Sequence, residues 1–140
     1  MHYLRPLLVI IAFHLCSPAS AQSELEVIRA SSIGQGTVAT FATSYPFAIK
    51  YARQAVTQLD FRIMSTERVN SNTCMILGKK PIAGDSYGEV IRLLIIRTKS
   101  NASQVRILTR RRATTGSPDT MTYCEKIYAG IQKNLLLSDR

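Results

Sequence analysis

Tryptophan is absent from this 140-residue chain, and its two histidines, His2 and His14, both fall in the first fifteen residues. The first twenty-one residues read as an export signal. Met1–Arg5 is a short basic start, Leu7–Leu15 an apolar run, and Ala19-Ser20-Ala21 a small-x-small cleavage pattern. The run is too short for a permanent membrane anchor. Cleavage after Ala21 would leave Gln22–Arg140, a single periplasmic or secreted domain with no imidazole at all. That excludes a Ser-His-Asp or Cys-His site and the commonest metal ligand. We therefore expect no cofactor, no metal and no enzymatic activity. The few carboxylates, among them Glu67, Asp85, Glu89, Asp119 and Glu125, show no spacing that pairs two of them for hydrolysis.

Cysteine is also scarce. Cys16 lies in the export signal behind Phe13-His14-Leu15, which is bulkier than a lipoprotein site allows. Cys74 and Cys124 remain, and an oxidising compartment favours a disulfide between them. Such a bridge would close a loop of about 50 residues, for roughly 4 kcal/mol. The alternative is two buried free thiols acting as small apolar residues.

Acidic residues number nine against 18 basic ones, of which only Arg5 is in the signal, so the mature chain carries a net charge of +8. Such a balance suits an acidic protein face or anionic lipid headgroups. Nucleic acid is disfavoured, because no binding motif accompanies the charge. The sharpest basic feature is Arg110-Arg111-Arg112. With Arg106 it would put the guanidinium groups at 106, 110 and 112 on one strand face, making the run an anionic docking patch or simply a solvated face. Gly34-Gln35-Gly36 is a turn, lacking the length and lysine of a phosphate loop. Asn101-Ala102-Ser103 fits a glycosylation acceptor and otherwise is a turn.

Periodicity supplies the elements. Glu24–Ser32 reads as a strand, and Thr37–Thr43 as a second. Ser44 and Pro46 open a helix whose Ala48, Ala52, Ala55, Val56 and Leu59 recur at helical spacing, ending near Asp60. Strands follow at Phe61–Val69, Thr73–Leu77, Val90–Thr98 and Gln104–Ala113. Val90–Ile96 is apolar on both faces, which argues for a central strand. Ser117 and Pro118 open the last helix, with Met121, Cys124, Tyr128, Ile131 and Leu135 in one stripe and Gly130 as a weakness. The fold class is α+β: an antiparallel sheet of about five to six strands with two helices on one face, in two layers.

The passage Leu59-Asp60-Phe61 into Arg62–Glu67, and the later run from Gly88 through Arg106–Arg110 to the final helix, resemble the small helix-grip modules of bacterial envelope proteins, such as the outer-membrane assembly lipoprotein BamC. The likeness of element order covers Thr40 to Leu137, and the chain departs from it in its cysteines. The resemblance implies a binding or scaffold part of the envelope. The leading expectation is thus an exported accessory module acting through a protein contact or an anionic surface. Alternatives are a small-ligand carrier using Phe41, Tyr45, Met64, Tyr123 and Tyr128, and a secreted inhibitor or immunity factor.

Overall fold

The computed structural model describes residues 23–84, 86, 88–111 and 120–139, with side chains of the last helix from Tyr123 onward. The expected export signal, Cys16, Arg112, Ser117, Pro118 and the side chain of Met121 lie outside the described residues. The elements are α1 (Glu24–Ala30), β1 (Thr37–Phe41), α2 (Tyr45–Gln58), β2 (Arg62–Asn70), β3 (Thr73–Lys79), β4 (Val90–Lys99), β5 (Ala102–Arg110) and α3 (Thr120–Ser138). The five strands form one antiparallel sheet in the order β1-β5-β4-β3-β2. The most apolar strand is the central one, β4. It has to be, because both its faces are covered: Ile91, Leu93 and Ile95 meet the layer of α2 and α3, while Val90 joins Ile28 and Leu77 on the other side.

Helices α2 and α3 pack on one face, as the two amphipathic stripes require. They come unusually close. A Cβ added at Gly130 would stand 3.0 Å from the Ala55 Cβ, so the glycine that weakens α3 locally is what lets the helices touch. The Tyr128 hydroxyl ties α3 to the sheet edge, donating to the Thr37 carbonyl at 2.7 Å. Asn134 joins the buried side of α3, and its Nδ2 has no partner among the described residues.

The expected first strand is instead helix α1, laid on the opposite face of the sheet. Ser23 caps it, its hydroxyl accepting from the Glu26 amide at 3.3 Å. Glu24 and Glu26 sit in its first turn and Arg29 in its last, each favourable to the helix dipole. A helix of 7 residues is not stable alone. It persists because Ile28 is fully buried and Leu25 packs beside it.

Strand β2 alternates as expected, with two interruptions, the second between Arg68 and Asn70. Ile63 pairs with Gly78 but Ser65 pairs with Leu77, so a bulge at Met64 switches the faces. Ile63 packs on the helix-side core, whereas Glu67 reaches the α1 side and accepts from Arg29 at 3.0 Å.

The expected disulfide is not formed: Cys74 and Cys124 are both free and buried. The reason is their position along the strands. Lys80 Nζ lies 5.1 Å from the centre of the Tyr123 ring, which places the start of α3 over the far end of β3. Cys74 is six residues upstream, about 20 Å along the strand. A bridge needs Cα atoms within about 7 Å. Burial pushes the Cys74 thiol up from its ordinary value, against the pull of Arg53. The folded thiol therefore holds its proton more tightly than the unfolded one. Its contribution to stability is complete below about pH 8.5 and is lost as pH rises through the higher folded value. Thiol titration of the unreduced protein should find both cysteines after denaturation and almost none before it. A denatured protein without reactive thiols would restore the bridge.

Candidate anion-binding site

Two of the arginines singled out in the sequence, Arg106 and Arg110, share one sheet face, and that face is the one α1 covers. Arg106 lies opposite Leu94, and Arg110 opposite Val90. Arg106 Nη1 donates to the Gly34 carbonyl at 2.8 Å and, more weakly, to that of Gly36 at 3.4 Å. Arg110 Nε pairs with the Glu24 carboxylate at 2.5 Å. Arg111 follows, half-buried, and Arg112 lies outside the described residues. Arg106 and Arg110 thus hold α1 and the turn after it on the sheet, so these two members of the expected docking patch are engaged from within.

Arg92, which in the sequence is one polar residue in an apolar run, completes this arrangement. It is 2% exposed. Its Nη1 donates to the carbonyls of Ile28, at 3.2 Å, and Ser31, and its Nη2 to that of Ser32 at 2.8 Å. It therefore closes the C-terminal end of α1, where the backbone has free acceptors and the dipole favours a cation.

The aromatic residues expected to line a carrier cavity pack into the helix-side core instead. Phe41 packs tilted on Tyr128 with centroids 6.1 Å apart, and Tyr123 meets Phe61 edge-on at 5.5 Å. Tyr45 is buried at the opposite end of the helix layer, and Met64 is half exposed on β2. These rings fill the core. The carboxylates also stand apart: Glu89 is buried and accepts from the Ser86 hydroxyl at 2.7 Å, while Glu67 faces Arg29. Asp85 and Asp119 lie outside the described residues.

A different basic group is assembled where α2 begins. Cross-strand neighbours project to the same face, so Arg68, opposite Cys74, shares the helix side of the sheet with it. Arg97, two residues beyond Ile95 on β4, rises on that side too, its guanidinium 4.9 Å from the centre of the Tyr45 ring. Arg53 reaches over from α2, its Nη1 donating to the Thr66 hydroxyl at 2.8 Å. Lys50 stands one turn earlier on the same helix. All four are exposed, and none has an ion-pair partner among the described residues. Helix α2 itself carries no acidic residue.

The electrostatics follow from this gathering. Burial, and then neighbouring Cys74, push the Tyr45 phenol up, while Arg68 and Arg97 pull it down. Lys50 and Arg53 also line an open groove of about 640 Å³ with Tyr51, Gln54, Asn134 and Leu137 between the outer sides of α2 and α3. Exposed guanidinium forks on one side of the sheet suit phosphate or carboxylate oxygens. Helical spacing places Lys50 and Arg53 on a polar helix side but has no means of bringing Arg68 and Arg97 to them; that needs the register of β2, β3 and β4. No group of three metal-ligating side chains occurs among the described residues. The chain matches no protein-family model and no curated protein.

Proposed function

We propose that this is an exported, non-enzymatic accessory module that binds an anionic surface through Arg53, Arg68 and Arg97, assisted by Lys50. The observation that carries the reading is that Arg53 of α2, Arg68 of β2 and Arg97 of β4 all lie on the helix side of the sheet around the start of α2. Arg97 stacks on the Tyr45 ring, and none of the three has an ion-pair partner among the described residues. The opposite sheet face has comparable charge but places it against Glu24, Glu67 and backbone carbonyls. The export signal and the likeness to helix-grip envelope modules fit a scaffold or binding part of that kind.

The test compares two triple variants of equal charge. R53Q/R68Q/R97Q removes the gathered arginines; R62Q/K79Q/K126Q removes exposed cations elsewhere. Each cation near an anionic surface is worth about 1 kcal/mol at low salt, so the first variant should lose about a hundredfold in affinity for a soluble polyanion such as heparin. The second should lose far less. Equal losses would mean that only net charge matters and would defeat the reading.

A further inference from the structure

The chemistry of the anionic surface can be narrowed from the side chains beside the basic group, an identification that rests on the function proposed for Arg53, Arg68 and Arg97. Three large apolar side chains are exposed at the end of the helix layer where α2 begins and α3 finishes: Phe47 at 51%, Leu136 at 58% and Leu137 at 59%. Single exposed apolar residues require no explanation. These are contiguous with each other and with cations. Phe47 stacks on Tyr51, centroids 6.0 Å apart. Tyr51 and Leu137 line the same groove as Lys50 and Arg53. Lys133 adjoins Leu136 and Leu137 on the outer side of α3. Asp139 is the acidic group at its rim.

An acidic protein face would satisfy the lysines and arginines but leave the leucines and phenylalanine in water unless it were apolar at matching points. A bilayer interface accommodates both classes at once. Apolar side chains enter the headgroup and acyl boundary, and long basic side chains reach back to lipid phosphate. No described helix is long and apolar enough to cross a membrane. We propose that this end of the α2–α3 layer docks peripherally on an anionic membrane surface, with Phe47, Leu136 and Leu137 in the headgroup region and Lys50, Arg53 and Lys133 on lipid phosphates.

The experiment is co-sedimentation of the chain from Gln22, which contains every described element of the fold, with vesicles of phosphatidylcholine and phosphatidylglycerol at 3:1, against pure phosphatidylcholine. Binding is expected only to the anionic vesicles. F47S/L137S removes exposed apolar surface and leaves the cations. It should bind those vesicles about tenfold more weakly while keeping the wild-type affinity for heparin. R53Q/R68Q/R97Q should lose both. If F47S/L137S binds vesicles like wild type, or if the wild type binds heparin but no vesicle, the lipid proposal fails, and an acidic protein or other polyanion becomes the partner. If affinity for heparin is indifferent to the arginines, the proposed function fails instead.

Discussion

Arg92→Met should destabilise the protein by about 2–3 kcal/mol and free α1 from the sheet. The side chain is buried and meets three carbonyls at the end of that helix. A hydrogen bond to a charged group contributes about 1.5–3 kcal/mol. Losing three of them is partly offset, because methionine avoids the desolvation of a guanidinium. Burial, and then nearby Arg106, already draw the Arg92 guanidinium down from its usual value, a sign of that desolvation. The carbonyls it leaves behind decide the balance, since α1 has too few residues to hold its own end. The measurement is denaturant unfolding together with amide exchange. The midpoint should fall, and the Val27 amide, hydrogen-bonded to the Ser23 carbonyl, should lose its protection. Arg110→Gln, which removes a more exposed ion pair, should change stability by less than about 1 kcal/mol. Equal effects would show that α1 is held by surface charge alone.

Gly36→Val should be more damaging still, at about 4 kcal/mol. Gly36 has φ 110°, a conformation that side chains avoid. A Cβ there would also stand 2.3 Å from the Ile107 carbonyl oxygen, which is backbone and cannot turn aside. The residue is where the chain leaves α1 to enter β1, beside β5. Valine therefore forces β1 off its partner, and with it the Tyr128 hydroxyl that grips Thr37. Gly34→Ala is the control, two residues away. Its Cβ would meet nothing nearer than 3.9 Å, so stability should change little. Thermal melting separates the two; a Gly36→Val protein that melts like wild type would contradict the geometry.

Neither position is marked by a motif, and the contrast with the rest of the chain is physical. Helix α2, strand β4 and the antiparallel order were legible because each rests on a local pattern: alanines at helical spacing, a continuous apolar run, short turns. Helix α1 was not. Its apolar residues on the sheet side are Leu25 and Ile28, too few to separate a period of 3.6 from one of 2, and its stabilising partner Arg92 lies more than sixty residues away. The bulge at Met64 likewise switches the faces of β2 without any glycine or proline to announce it. The cysteine pairing failed for a related reason. Helix and strand were both right, but which end of β3 meets the start of α3 depends on the direction of the helix over the sheet. The shared face of Arg106 and Arg110 was correctly expected, whereas the helix that covers it was not. The basic group at the start of α2 is a product of register across three strands, so no linear motif carries it.

If the gathered arginines, rather than those of β5, meet the anionic partner, the NMR signals of their Nε–H groups should report it as heparin is titrated in. Arg53, Arg68 and Arg97 should move first and together, with Arg106 and Arg110 unmoved in their contacts to Gly34 and Glu24. Shifts led by Arg106 and Arg110, with the other three silent, would place the binding surface on the α1 side of the sheet and overturn the proposed function.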